Sequence, residues 1–241
     1  MEFKPFDYFG FQGYDFEFDG RNAKIIKPNV KPNGKWVYKT EYFYAFPETQ
    51  IEFLNRGYHL LFSQSDTRWA PDEDVFRKVE FVKFVSKEFN LNKKCIPIGM
   101  SCGGMYAIKI GAIIPEYIEA MYIDAPVMNL LSCPCDFGVA KSGFREEYFK
   151  LVNTTLSKLI SYRNHPIDVM HVVLENDIPI VMVVGDSDTV VPYEENGALL
   201  EKLYKENGGR IIVHVKPGAD HHPHGLDDPS IIVDEIENFI K

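Results

Sequence analysis

The sequence lacks long apolar runs, basic stretches and low-complexity segments. No run approaches the length of a membrane-spanning helix, and residues 1–11 mix charged and aromatic side chains without the apolar centre of a signal peptide. No basic stretch offsets the formal net charge of -9, which argues against a phosphate backbone as a ligand. We therefore expect a cytoplasmic protein with no nucleic-acid partner and no membrane partner.

Cysteine is also scarce. The chain has four cysteines and no export signal, so we expect reduced thiols. Cys133 and Cys135 are separated by one residue instead of the two that are typical of redox and zinc pairs, and there is no second pair. We therefore expect no metal and no cofactor.

What the chain does contain suits one domain over residues 1–241. With 45% hydrophobic and 25% charged residues, it can bury a sizeable core. From residue 58 onward, short apolar runs typical of strands alternate with stretches typical of helices. Strands are predicted at 58–63, 95–98, 118–124, 179–185 and 210–216, and helices at 71–89, 105–114, 193–207 and 229–241. This alternation predicts a mostly parallel sheet with helices on both faces.

The N-terminal part has a different pattern. Residues 12–18 and 23–27 flank an Asp-Gly-Arg-Asn turn, which predicts a hairpin at an antiparallel edge of the sheet. Residues 28–35 are predicted as a loop, and residues 40–56 as a helix that ends at Gly57.

A long interval between Pro126 and Asp177 interrupts the alternation. Its roughly fifty residues exceed what a crossover connection needs, and residues 144–162 show the spacing of a helix. We expect a small helical cap insertion at about 127–177, lying over the carboxyl ends of the strands and governing substrate preference. A detour on the periphery of the fold is the alternative.

The strongest motif is Gly-Met-Ser-Cys-Gly at residues 99–103. A strand precedes it and a helix follows it, which is the setting of a nucleophile elbow. Such a turn leaves room only for glycine two residues before and after the serine, and it pushes the serine hydroxyl out above the strand end. The alternative is a glycine-rich turn whose serine caps the next helix. We expect Ser101 to be a nucleophile.

A serine nucleophile needs a base, and the base needs an orienting acid. Residues 185–192 follow one strand and contain Asp186 and Asp188; residues 220–225 follow the last strand and read Asp-His-His-Pro-His-Gly. Elbow, acid loop and histidine loop, in this order, resemble the α/β-hydrolase family of serine esterases and peptidases over nearly the whole chain. The resemblance implies the α/β-hydrolase fold, Asp188 as the acid and His221 as the base.

Other residues compete for these roles. Asp186 is expected to cap its own turn, and Asp124, which ends a strand, is the remaining candidate acid. His222 and His224 are candidates for substrate contacts. A metal site of Asp220, His221, His222 and His224 is disfavoured, because adjacent side chains rarely converge on one ion and there is no helical i, i+4 pair. The remaining histidines are expected to be ordinary core or surface residues: His59, His165, His171 and His214.

An oxyanion hole requires two fixed donors. The backbone N–H of Cys102, directly after the nucleophile, is the expected first donor. The second is expected from the loop after an early strand, and we assign it to the backbone of Trp36. The Cys102 thiol itself is expected to be a packing group, since nothing nearby in sequence would stabilise a thiolate.

The sequence thus predicts a serine hydrolase of the carboxylesterase type. Glu195-Asn196 and the His-His-Pro-His-Gly run resemble a small bacterial esterase-like subgroup, some of whose members act on acylated carbohydrates. The resemblance implies a small-molecule substrate, an ester of a small polar acyl compound, with carbohydrate-linked esters included. The alternatives are a small peptidase of the prolyl-oligopeptidase type and a non-catalytic binding protein with the same fold.

Overall fold

The computed structural model describes all 241 residues, and its nine strands form a single sheet. The strands lie in the order β1-β2-β3-β5-β4-β6-β7-β8-β9. Their bounds are β1 Lys4–Tyr8, β2 Phe11–Phe18, β3 Arg21–Ile26, β4 Trp36–Lys39, β5 His59–Ser63, β6 Ile96–Met100, β7 Met121–Asp124, β8 Ile180–Gly185 and β9 Ile211–Lys216. Strands β1, β2, β3 and β5 pair antiparallel, and β5, β4, β6, β7, β8 and β9 pair parallel. The predicted mostly parallel sheet with an antiparallel N-terminal edge is confirmed.

Helices cover both faces of the sheet. Their bounds are α1 Glu48–Asn55, α2 Asp72–Glu88, α3 Cys102–Ile113, α4 Arg145–Leu151, α5 Leu156–Ser161, α6 Pro166–Glu175, α7 Gly197–Glu206 and α8 Pro229–Phe239. Helices α1 and α8 pack with one set of strand side chains into one buried cluster, and α2, α3 and α7 pack into a larger cluster on the other face. The central strands are buried on both sides, which explains their continuous apolar sequences. None of the helices combines the length and the hydropathy that a bilayer span requires.

The structure corrects the prediction for residues 36–56. Residues 36–39 form β4 between β5 and β6, residues 40–47 contain no helix, and only Glu48–Asn55 is helical. Strand β4 has only four residues and ends in a lysine, so its apolar pattern is too short to identify locally. Gly57 does follow the helix, with a φ of 89°.

The interval between β7 and β8 holds three helices, α4, α5 and α6. The single helix predicted over 144–162 is in fact two, because the chain turns at Asn153, whose φ is 50°, and Thr155 caps α5 by accepting from the N–H of Lys158. Helix α6 packs on α3, and residues 144–148 approach the carboxyl ends of the strands through contacts with Trp69.

Candidate active site

Ser101 lies at the sharp turn between β6 and α3. Its backbone has φ 53° and ψ -118°, a conformation that side-chain-bearing residues rarely adopt. A Cβ on Gly99 would lie 2.3 Å from the carbonyl oxygen of Gly103, and one on Gly104 would lie 2.5 Å from the Cβ of Pro126. At Gly103, the second glycine of the predicted elbow, a Cβ would lie 3.0 Å from Thr40 Oγ1. Neighbouring atoms therefore exclude a side chain at Gly99 and Gly104 and leave little room for one at Gly103, in keeping with the tight turn of a nucleophile elbow.

The structure brings Ser101, His221 and Asp188 into one hydrogen-bonded line. The Ser101 hydroxyl lies 3.0 Å from His221 Nε2, and His221 Nδ1 donates to Asp188 Oδ2 over 2.7 Å. The other carboxylate oxygen, Asp188 Oδ1, accepts from the N–H groups of Val190 and Val191 at 2.9 and 2.8 Å. These bonds fix the carboxylate, the carboxylate fixes the imidazole, and His221 Nε2 is left facing the serine.

Two further aspartates tie the acid loop to the histidine loop. Asp220 accepts from the N–H groups of Thr189 and His221 at 2.9 and 2.8 Å, and these two donors lower the pKa of its carboxyl group. Asp186 accepts from the N–H of Gly218 at 2.7 Å and makes no bond to a histidine. Asp186 therefore joins the two loops instead of acting on the imidazole.

A second buried histidine–aspartate pair lies beside the first. His224 Nδ1 donates to Asp124 Oδ1 over 2.6 Å, and Asp124 Oδ2 accepts from the Tyr122 hydroxyl at 2.9 Å and from the Gly225 N–H at 2.7 Å. The sequence analysis named both residues but did not pair them. Their signal was positional, since Asp124 ends β7 and His224 follows β9, and both strands are parallel with their carboxyl ends at the same edge of the sheet.

The histidine loop forms a cluster of three imidazole rings. The ring centroids of His221, His222 and His224 lie 4.7–5.0 Å apart, and Phe46 stacks on His222 at 5.6 Å. His222 is exposed at the surface of the cluster. Partial burial, and after it the neighbouring imidazoles, lower the pKa of His222.

A pocket of about 250 Å³ opens above Ser101. Its walls are mainly apolar and aromatic, with a few polar groups at one side, which is typical of small-molecule sites. The lining residues away from the histidine cluster are Tyr42, Ala45, Phe46, Arg68, Met100, Phe144 and Val190.

The insertion contributes directly to this pocket. Phe144 lines it, and Glu147 of α4 accepts two hydrogen bonds from the Arg68 guanidinium at 2.9 and 2.8 Å. The same guanidinium lies 4.3 Å from the centre of the Phe144 ring. The insertion therefore supplies one wall residue of the pocket and a carboxylate that holds Arg68.

Glu195 and Asn196 connect the insertion to the acid loop. The Asn196 side chain accepts from the N–H groups of Met128 and Asn129, both at 3.0 Å, and donates to the carbonyl of Pro192 at 3.0 Å. Glu195 accepts from the hydroxyl of Ser132 at 2.7 Å and from the N–H of Val139 at 2.8 Å. The motif singled out in the sequence thus has a structural role at the root of the insertion.

The assignment of Trp36 is wrong. Trp36 is fully buried at the start of β4, and its indole N–H donates to the carbonyl of Asn92 at 2.8 Å. Strand β4 is parallel to β6 with Val37 opposite Ile96, so Trp36 and Ser101 lie at opposite edges of the sheet. The loop that reaches the elbow is residues 40–47, after β4, and the error arose because β4 was not recognised.

The remaining predicted residues are placed as follows. Cys102 is the first residue of α3, directly after Ser101, and burial raises the pKa of its thiol to about 11, which disfavours a reactive thiolate. The four histidines expected to be ordinary residues lie outside the pocket: His59, His165, His171 and His214.

Solved structures with the same fold include esterases and peptidases. An S-formylglutathione hydrolase from Agrobacterium tumefaciens is 13% identical with a TM-score of 0.66, and covers 99% of this chain and 96% of that one. A truncated carbohydrate esterase from gut microbiota is 15% identical with a TM-score of 0.65, over 90% of this chain and 89% of that one. Dipeptidyl peptidase 4 from Porphyromonas gingivalis is 12% identical with a TM-score of 0.70, over 95% of this chain and 35% of that one.

The chain spans only 35% to 38% of the length of the peptidases and puromycin hydrolases that it matches. The family model described as "Prolyl oligopeptidase family" matches residues 72–241, more than two thirds of the chain. That segment includes the elbow, the acid loop and the histidine loop. The chain therefore belongs to the prolyl oligopeptidase family and has the α/β-hydrolase fold.

Proposed function

We propose that the chain is a serine esterase in which Ser101 is the nucleophile, His221 the general base and Asp188 the orienting acid. The observation that carries this proposal is the hydrogen-bonded line from Ser101 through His221 to Asp188 at the base of a pocket. His221 Nε2 accepts the hydroxyl proton as Ser101 Oγ attacks the ester carbonyl, and then donates it to the departing alcohol. Water hydrolyses the acyl-enzyme by the same route in reverse.

The tetrahedral intermediate needs two donors for its oxyanion. The N–H of Cys102 is one, at the N-terminal end of α3. In place of Trp36, we assign the second to the backbone of loop 40–47. The N–H of Glu41 makes no hydrogen bond to another backbone group and lies 3.6 Å from where a Cβ on Gly103 would be, next to the start of α3. Each step uses groups of the chain itself, so the proposal includes no metal and no cofactor.

The pocket favours a small ester over a peptide with a free amino terminus. Its lining includes no carboxylate that would pair with a substrate ammonium group. Its aromatic walls, Tyr42, Phe46 and Phe144, suit the apolar face of a sugar ring or acyl group, while Arg68 and His222 suit hydroxyl groups at its edge. The substrate class that we propose is a small polar ester, and acylated carbohydrates are the preferred candidates within it. An S-formylglutathione hydrolase and a carbohydrate esterase among the matched structures are consistent with this choice.

A peptidase is the second candidate, because the family model is named for one. Two experiments test both. A fluorophosphonate probe should label the wild type once, on the peptide that contains Ser101, and should not label Ser101→Ala. A panel of p-nitrophenyl esters, acetylated sugars and aminoacyl p-nitroanilides should then show hydrolysis of esters above that of anilides. Labelling that persists in Ser101→Ala would refute the nucleophile, and preferential cleavage of anilides would replace the esterase with the peptidase.

A further inference from the structure

The three imidazoles of the histidine loop are arranged as a set of metal ligands. One nitrogen from each of His221, His222 and His224 lies within 4.8 Å of the others. His222 is exposed, and neither of its ring nitrogens has a hydrogen-bond partner in the structure. The sequence analysis expected neighbouring side chains to diverge, but the loop folds so that these three converge.

The two buried imidazoles also have the second partners that zinc ligands usually have. A histidine that binds zinc donates its other ring N–H to a carboxylate or a carbonyl, which fixes its tautomer and orientation. His221 Nδ1 donates to Asp188 and His224 Nδ1 donates to Asp124, at 2.7 and 2.6 Å. In both rings Nε2 is thereby left as the nitrogen with a lone pair. Two buried carboxylates behind the cluster also favour a cation in front of it.

We propose that His221, His222 and His224 bind one Zn²⁺ ion, which blocks the active site reversibly. Zinc–nitrogen bonds of 2.0–2.1 Å put two nitrogens of a tetrahedral site about 3.3 Å apart. The exposed side chain of His222 rotates to reach that spacing, and water or the Ser101 hydroxyl takes the fourth position. His221 Nε2 gives up its 3.0 Å contact with Ser101 Oγ when it binds the ion, so the serine loses its base. The inhibition rests on the proposed function, whereas the binding does not.

Calorimetric titration of Ser101→Ala with ZnCl₂ tests the binding without any assay of activity. We expect one ion per chain. His222→Ala in the same background should weaken binding at least about tenfold, the scale on which even outer partners of a metal site act. His171→Ala is the matched control, since His171 is an exposed histidine on α6 outside the cluster, and it should leave affinity unchanged. Mg²⁺ should not compete, because it prefers oxygen ligands.

A second arm measures ester hydrolysis by the wild type in Zn²⁺ and after EDTA. We expect loss of activity that EDTA restores, with an inhibition constant of the same order as the calorimetric Kd. Equal affinity in His222→Ala and His171→Ala, or several ions per chain, would overturn the site. If zinc binds as expected but the wild type hydrolyses no ester, the site stands and the esterase proposal fails. If esters are hydrolysed but zinc does not bind, the esterase proposal stands and the zinc site fails.

Discussion

Two buried histidine–aspartate pairs lie side by side at the carboxyl edge of the sheet. They differ in what the other ring nitrogen of the histidine and the other carboxylate oxygen of the aspartate contact. In both, a ring Nδ1 donates to a carboxylate, over 2.7 Å for His221–Asp188 and 2.6 Å for His224–Asp124. All four side chains are at most 7% exposed. Only His221 has a serine hydroxyl at Nε2. A histidine–aspartate pair alone therefore does not identify a general base. The serine hydroxyl at Nε2 is what distinguishes His221.

The two aspartates also belong to different kinds of structure. Asp188 lies in a loop and is held by the N–H groups of residues 190 and 191, which leaves one oxygen for the imidazole alone. Asp124 is the last residue of β7, and it bonds the Tyr122 hydroxyl and the N–H of Gly225 as well as His224. We infer that Asp188 serves the imidazole, whereas Asp124 holds the histidine loop to the sheet.

The largest expected effect separates the two pairs. Asp188→Asn should lower kcat by about 10³–10⁴, since an amide favours the wrong imidazole tautomer, with little change in Tm. Asp124→Asn should lower the free energy of unfolding by about 2–3 kcal/mol, because a buried charge-assisted hydrogen bond is lost, with a decrease in kcat of less than about tenfold. Kinetics with a p-nitrophenyl ester and urea unfolding measure both effects. A large catalytic loss in Asp124→Asn and a small one in Asp188→Asn would reverse the assignment.

The features that local sequence determines were predictable. The elbow needs small residues two positions before and two positions after the serine. A Cβ on Gly99 would lie 2.3 Å from the carbonyl oxygen of Gly103, and one on Gly103 would lie 3.0 Å from Thr40 Oγ1. The acid and histidine loops follow long apolar strands, and parallel strands place their carboxyl ends at one edge. The parallel sheet, the elbow and the two loops that face it could therefore be predicted from short segments of sequence taken in order. The choice of Asp188 and His221 within those loops rested on the family resemblance.

The missed features depend on contacts between distant segments. Strand β4 exists because β5 and β6 supply hydrogen-bond partners on both sides, and nothing within its four residues shows this. That omission placed the second oxyanion donor at the wrong edge of the sheet. The pairing of His224 with Asp124 joins residues 100 positions apart and depends on which strands are neighbours. The break at Asn153, in contrast, had a local signal in the Asn-Thr-Thr run that follows Val152.

Lys39 sharpens the comparison, because it is buried near Asp124 and not near Asp188. It is fully buried, its Nζ donates to the carbonyl of Ala45 at 3.3 Å, and burial lowers its pKa to about 7, although Asp124 and Glu48 oppose the shift. The unfolded lysine keeps its proton up to about pH 10, so between pH 7 and pH 10 the unfolded state binds more protons than the folded state. The titration of Lys39 therefore raises the free energy of unfolding of the wild type as the pH rises from 7 to 10.

We compare the free energy of unfolding of Lys39→Met with that of the wild type. The difference, variant minus wild type, should be highest at or below pH 7 and should fall by about 4 kcal/mol between pH 7 and pH 10. Urea unfolding of both proteins across this range measures the difference. Lys87→Met, at an exposed lysine on α2, is the control and should show no such trend. A constant difference between Lys39→Met and the wild type would mean that Lys39 keeps its proton in the folded state.

The smallest effect concerns Asp186, a further aspartate at this edge, which makes no hydrogen bond to a histidine. Its carboxylate accepts from the N–H of Gly218 at 2.7 Å and from the hydroxyl of Ser187 at 2.9 Å, so it joins the acid loop to the turn before the histidine loop. Asp186→Ala removes these bonds at an exposed position, and it should lower the free energy of unfolding by about 1 kcal/mol. Because Asp188 and Asp220 still hold His221 and its loop, kcat should change by less than about twofold.

Asp227→Ala is the matched control for Asp186→Ala, because it removes the same charge at an exposed aspartate that has no hydrogen-bond partner. Its urea midpoint should equal that of the wild type. A loss of kcat in Asp186→Ala that approaches the loss in Asp188→Asn would show that the two loops position the imidazole through Asp186 as well. The division between one catalytic aspartate, Asp188, and the structural aspartates Asp124, Asp186 and Asp220 would then be wrong. An unchanged urea midpoint in Asp186→Ala would show instead that Asp188 and Asp220 alone suffice to hold the two loops together.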